Sequence, residues 1–249
     1  MAAGRLRTGT SGFAYPAWVP RFYPPGTRGP RFLAVYGSRL STVELNNTFY
    51  RQPSPAAVDG WLAATPEDFR FAVKAQRSSS FRSLQPEPAD SVAWLTTPIR
   101  RFGSRLGMVL FRVPDGVARD DARLAGLLGA WPADLPLALE FQDPSWHVDE
   151  VFGAVRDAGA AIVTTDLLAD DGEVDPPALR RSGPFLYLRL RRPDYRPDEL
   201  ARWLDRLEPF LADGLDAYVY FRHDEVGRGA ELALELARLG EAAGFGSTV

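Results

Sequence analysis

Short runs rich in β-branched and aromatic residues alternate with helix-like segments from one end of the chain to the other, and this alternation limits the fold more than any other feature. Eight strands read at 5–11, 42–50, 69–75, 106–113, 135–142, 160–166, 185–191 and 217–223. Seven helical segments fall between them, at 30–39, 56–64, 89–102, 119–129, 148–158, 198–211 and 229–243. Strand, helix, strand is the βαβ unit of a parallel sheet, and eight such units close into a barrel. The 249 residues match the usual length of one barrel. The sequence therefore predicts an α/β chain forming a single (β/α)8 TIM barrel over residues 1–249.

Two connections depart from the rule. Segment 167–184 contains Asp170-Asp171-Gly172 and Pro176-Pro177 and has no amphipathic period, so its helix is expected to be short or missing. The first connection interleaves Phe13, Tyr15, Trp18, Phe22 and Tyr23 with Pro16, Pro20, Pro24 and Pro25. Such a segment can form neither a helix nor a central strand. Packing of its own aromatics is the favoured expectation, with a lid or a stacking surface as the alternative.

Alternate strand residues face opposite sides, so the apolar set marks the helix layer and the other set faces the barrel axis. Val43 and Leu45 outward turn Glu44, Asn46 and Thr48 inward. By the same parity Lys74, Arg112, Glu140, Gln142, Tyr187, Arg189, Arg191, Tyr218, Tyr220, Arg222 and Asp224 face in, and strand six ends on Asp166. A barrel interior is normally branched and apolar, and unpaired charge there costs several kcal/mol or more. Five cations (Lys74, Arg112, Arg189, Arg191, Arg222) and four carboxylates (Glu44, Glu140, Asp166, Asp224) therefore form either a salt-bridged plug or a pocket. Their position at the C-terminal strand ends, where barrels of this class place their sites, favours the pocket.

Composition narrows the chemistry. A net charge of −3 is not the footprint of a protein held to nucleic acid or membrane by bulk charge. With no cysteine, disulfides and thiolate or iron–sulfur chemistry are excluded. No apolar leader or membrane-length stretch is visible, so a cytoplasmic protein is the simplest expectation. Of 29 basic residues only Lys74 is a lysine. A lone lysine in an arginine-using chain marks a place for a compact charge or a titratable amine, unless it stands there by chance.

These residues support a small anionic ligand, phosphorylated or carboxylated, held by arginine forks and Lys74. Glu44 and Glu140 would serve as general acid and base, with Asp166 beside them, in a hydrolase, lyase or isomerase. Lys74 could instead attack a carbonyl to form a Schiff base, although Glu44 and Glu140 would raise its pKa. No cofactor is expected, and His147 and His223 have no metal-ligand spacing. Magnesium on Glu140, Asp166 and Asp224 stays open. Gly9-Thr10-Ser11-Gly12 offers a weak backbone cradle for an anion. A second reading is a non-catalytic binder of nucleotide or nucleic acid, stacking bases on Tyr15, Trp18 and Trp146. A third is a salt-bridged scaffold with a protein partner. Oligomeric state is left open.

Nearly the whole chain resembles the YecE-like family, domain of unknown function 72. The motifs are Gly-Thr-Ser-Gly-Phe-Ala-Tyr at 9–15, Phe-Tyr-Pro at 22–24 and Thr-Val-Glu-Leu-Asn-Asn-Thr-Phe-Tyr at 42–50. Thr65-Pro66 with 69–74 follows, then 110–114, 139–146 and 187–190. The resemblance implies a TIM barrel and no established activity. It carries Glu44, Asn46, Tyr50, Lys74, Glu140, Trp146, Asp166, Arg189 and Asp224 over as matches to the family's polar pattern. The chain departs at Arg112, where the family often has Gln, at Phe141-Gln142-Asp143 for Phe-Arg-His, and at Arg191-Arg192 for His-Gly. Losing those histidines weakens an acid–base scheme built on them, and the added arginines favour an anion. The family's outline is also similar to endonuclease-type and sugar-isomerase-type barrels, whose metal ligands are not evident here.

Overall fold

The computed structural model describes residues 2–167 and 177–246. Eight strands, β1 (Leu6–Thr10), β2 (Thr42–Leu45), β3 (Arg70–Lys74), β4 (Leu106–Val113), β5 (Leu137–Phe141), β6 (Ala161–Asp166), β7 (Phe185–Leu190) and β8 (Asp216–Phe221), form one sheet. Every pairing is parallel, and β1 joins β8. The barrel closes between β1 and β2 through a parallel bridge from Ser11 to Glu44, extended by Gly12 N–H to the Glu44 carbonyl at 2.8 Å. Gly9 makes this closure possible. A Cβ on it would stand 2.1 Å from the Thr42 carbonyl oxygen, so only glycine lets the two backbones approach this closely.

The helices are α1 (Arg31–Gly37), α2 (Pro55–Ala63), α3 (Arg77–Ser83), α4 (Ala89–Thr96), α5 (Asp121–Ala130), α6 (Asp149–Asp157), α7 (Pro197–Ala212) and α8 (Arg228–Ala242). In α7, Leu200, Trp203, Leu204, Leu207 and Leu211 recur at helical spacing and are buried against outward strand residues such as Leu188, Val219 and Phe221. Burying each such side chain contributes roughly 1.5–3 kcal/mol. Inside the barrel Ala72, Met108, Leu110, Ala138, Ala161, Val163, Phe185, Tyr187, Tyr218 and Tyr220 make a second core. The parity read from sequence therefore holds on most strands, with apolar residues outside and an apolar floor beneath a polar layer.

Several boundaries differ from expectation. Strand two stops at Leu45, and a short 3-10 turn, Asn47–Phe49, follows it. There the Thr48 hydroxyl lies 2.7 Å from the carbonyls of both Leu45 and Lys74, so Thr48 braces two strand ends and does not face the axis. The expected helix 89–102 ends at Thr96, and Pro98 opens a separate 3-10 segment, Pro98–Arg105, because proline has no N–H to continue the ladder. Helix α3 was not anticipated. In the 167–184 connection the described residues 177–184 carry no helix, and 168–176 lie outside the described residues.

The aromatic connection packs upon itself: Trp18, Phe22 and Tyr23 are buried. The Trp18 indole donates to the Asp224 carbonyl at 2.8 Å, and the Tyr23 hydroxyl donates to the Phe13 carbonyl. No helix among the described residues is long and apolar enough to cross a membrane.

Candidate functional site

The polar layer is built at the C-terminal ends of β1 to β7. At its centre Arg189 is 4% exposed and Glu44 is fully buried. The Arg189 fork reaches two strands: Nη1 donates to Glu140 Oε1 and Oε2 at 2.6 and 2.8 Å, and Nη2 donates to Glu44 Oε1 at 2.9 Å. Glu44 also accepts from Ser11 Oγ at 2.9 Å and Tyr187 OH at 2.7 Å. Glu140 accepts a longer bond from Thr165 Oγ1 at 3.2 Å, and Arg112 Nε lies 3.2 Å from its Oε2. The angle of that ion pair leaves Arg112 Nε without a hydrogen bond, and Arg189 Nε is likewise buried and unpartnered among the described residues. Such orphaned donors are rare in native interiors.

Burial alone would raise the Glu44 carboxyl, but Arg189, Lys74, the Tyr187 hydroxyl and Arg191 outweigh it and hold the group down at about 2. Glu44 has no proton to give at neutral pH, which removes it as the acid of an acid–base pair. Arg189 loses by burial yet ends above its ordinary value because Glu44 and Glu140 hold its charge.

Two cations at this mouth have no carboxylate partner among the described residues. Lys74, 8% exposed, places Nζ over the Phe49 ring, 4.5 Å from its centroid. Burial pushes its amine down to about 8, with Arg189 and Arg112 adding to the fall and Glu44 and Glu140 opposing it. The Arg191 side chain makes a single bond, 3.3 Å to Ser11 Oγ, and its pKa is lowered by burial and by Arg189. Nearby, His223 stacks on Tyr15 with ring centroids 5.0 Å apart. Burial, Arg191 and Arg222 lower the His223 pKa, so its ring is neutral at physiological pH.

Other expected residues stand elsewhere. Asp166 points away from the axis, because Ala161, Val163 and Thr165 take the inward parity of β6. It accepts from Arg192 Nε and Tyr195 OH, both at 2.9 Å, outside the central network. Asp224 lies beyond β8 and holds the start of α8, accepting from the N–H groups of Val226, Arg228 and Gly229 at 2.7, 3.0 and 2.6 Å. Arg222 is exposed past the end of the strand. Tyr50 is 79% exposed on the surface, and Asn46 is half-buried at the turn after β2. Trp146 is buried, stacked on Phe141 at 4.7 Å, with its indole donating to the Val117 carbonyl at 2.7 Å. Trp18 is buried as well, so both indoles are packed into the fold. His147, at the entry to α6, contacts the Phe141 carbonyl through Nε2 at 2.9 Å.

Glu140, Asp166 and Asp224 therefore do not converge, and each is occupied by its own donors. Among the described residues no group of three or more acidic or histidine side chains could hold a metal ion. Sequence reasoning missed Thr165 and Tyr195, and it named Ser11 only within a backbone anion cradle and Arg192 only as an added arginine, whereas Ser11 bonds Glu44 and Arg192 bonds Asp166. Thr165 lies on β6, which carries apolar residues at both parities, and Arg192 and Tyr195 lie in a loop with no period to read.

Beside the polar layer lies a cavity of about 690 Å³, lined by Phe81, Leu84, Val117 and Trp146 and sharing Phe49 and Arg112 with the mouth. The polar layer and this largely apolar cavity thus adjoin through Phe49 and Arg112.

Comparison with known proteins bears on this arrangement. The family described as "Protein of unknown function DUF72" matches residues 7–246. UPF0759 protein YunF of Bacillus subtilis (strain 168) is 32% identical over 134 residues, 50% of this chain and 47% of that protein. The chain thus spans about half the length of that curated relative in the match. A crystal structure of a DUF72 family protein from Thermotoga maritima MSB8 superposes with a TM-score of 0.82 at 25% identity, covering 95% of this chain and 99% of that one. A second, from Enterococcus faecalis V583, gives 0.76 at 19% identity over 97% and 99%, a likeness of fold alone. Since the family match runs from β1 to the last described residue and takes in every strand of the mouth, the chain belongs to the DUF72 family.

Proposed function

We propose that this barrel takes a small phosphorylated or carboxylated molecule at its C-terminal mouth and acts on it as a hydrolase, lyase or isomerase. The observation that carries this reading is the charge imbalance of the layer. Lys74 and Arg191 face it without a carboxylate, while Glu44 and Glu140 are already engaged by Arg189, with Arg112 beside Glu140. Two unneutralised cations in a part-buried site are costly unless an anion meets them, and the buried Nε donors of Arg112 and Arg189 also lack a hydrogen-bond partner among the described residues.

In this reading Glu44 and Glu140 position Arg189. The group able to exchange a proton near neutral pH is Lys74, and the neutral His223 stands at the rim. No step is assigned to a metal, because the carboxylates expected to ligate magnesium point to different places.

A thermal-shift titration with inorganic phosphate and with a small dicarboxylate tests the proposal. A ligand of the folded state at a hundredfold excess over Kd adds about 2.7 kcal/mol, so the melting temperature rises with phosphate. The rise disappears in Arg191→Ala, whose lost bond is only the one to Ser11. A melting curve indifferent to every anion would sink the proposal in favour of an internally paired scaffold.

A further inference from the structure

We propose that the Lys74 amine is a nucleophile that forms an imine with the carbonyl carbon of an anionic substrate, a keto acid or a phosphorylated aldehyde or ketone. The proposal rests on the reading of the mouth as an anion site and names the substrate class more closely.

Four observations carry it. Lys74 Nζ has neither a hydrogen bond nor an ion pair among the described residues, so nothing must be broken before it attacks. Its ammonium form rests on the Phe49 face at 4.5 Å, and the Thr48 hydroxyl, 2.7 Å from the Lys74 carbonyl, fixes the backbone beneath it. The charged groups acting on it come from four strands: Glu44 on β2, Arg112 on β4, Glu140 on β5 and Arg189 on β7. The two guanidinium groups and burial favour the free amine and are opposed by the two carboxylates. Finally, a cavity of about 690 Å³ is bounded by Phe49, the ring that carries the ammonium group, and by Arg112, and could hold the substrate body. Arginine fills 28 of the 29 basic positions. A guanidinium would hold an anion as well or better, whereas only an amine can form the C–N bond.

The step balances without any redox partner. The nitrogen lone pair bonds to the carbonyl carbon as the carbonyl π pair moves to oxygen, and both amine protons pass in turn from nitrogen to the former carbonyl oxygen. That oxygen then leaves as water while nitrogen and carbon form the double bond. Hydrolysis returns the amine.

A chain with one lysine makes the test unambiguous, since the only other amine is the α-amino group. Wild-type protein is incubated with pyridoxal phosphate, and separately with pyruvate, then reduced with sodium borohydride and mapped by peptide mass spectrometry. The proposal expects both adducts on Lys74, none in Lys74→Arg, and protection by inorganic phosphate. The labelling rate is expected to rise about tenfold from pH 7 to pH 9 and then level off, where an ordinary lysine would climb about a hundredfold and continue. Adducts confined to the α-amino group, or Lys74 labelling that climbs like an ordinary lysine and ignores phosphate, would overturn it. The phosphate thermal shift of unmodified protein is read in parallel. A shift without Lys74 adducts defeats the imine alone, and the absence of a shift defeats the anion site itself.

Discussion

At the scale of single residues, the mouth is governed by which charges find partners. Glu44 is saturated by Ser11, Tyr187 and Arg189, so Glu44→Gln removes the central anion and leaves Arg189 with Glu140 alone. We expect a loss of about 3 kcal/mol in urea denaturation at neutral pH, the lower end for breaking a buried pair. The folded pKa of Glu44 lies at about 2, below its ordinary 4.5. Its stabilisation is therefore complete above pH 4.5 and lost as the pH falls toward 2. The gap between wild type and Glu44→Gln should close across that window, and a gap independent of pH would show that the carboxylate charge is not what matters. Lys74 carries the opposite sign. Its folded pKa of about 8 lies below the ordinary 10.5, so the cost of burying its charge is present below pH 8 and relieved as the pH rises to 10.5. Lys74→Met should raise the melting temperature at pH 7, by an amount that shrinks above pH 8. Strand parity made Glu44, Lys74, Glu140 and Arg189 legible in the sequence, because each lies inside a strand or at its last residue.

At the scale of elements, what was not legible lies just past the strand ends. Parity was extended through Asp224 and Arg222, but β8 stops at Phe221, and beyond it the chain turns to start α8. Gly227, with φ of 85°, and the Asp224 carboxylate shape that start. Asp224→Ala removes the acceptor of three N–H groups and should cost about 1–2 kcal/mol, as loss of a strong helix cap does. Chemical denaturation measures the cost. Because Asp224 is not part of the proposed anion site, phosphate should still raise the melting temperature of that variant, and loss of the shift would return Asp224 to the mouth. Asp166 teaches the same lesson from inside a strand. The Ala-Ile-Val-Thr-Thr-Asp run of β6 is apolar at both parities, so the sequence alone could not say which face Asp166 takes. Its partners, Arg192 and Tyr195, sit in a connection without periodicity.

At the scale of the whole molecule, the barrel was readable because eight alternations in 249 residues admit few other closed folds. How it closes was not readable. It depends on Gly9 lying against the Thr42 carbonyl, a contact between elements more than thirty residues apart. Gly9→Ala should destabilise the entire fold, by about 3 kcal/mol or more, since the added methyl meets backbone that cannot swing aside. A melting temperature equal to wild type would mean that β1 and β2 can separate without loss. Closure also delivers Ser11 to Glu44 and Arg191, so it assembles the mouth as well as the core. The central claim is that this mouth is short of negative charge. Isothermal titration of inorganic phosphate into wild type and Arg191→Ala at low ionic strength tests it most directly. The account predicts saturable binding to wild type that weakens as salt is added and is lost in Arg191→Ala. Absence of heat with wild type, or equal affinity in the two proteins, would contradict it.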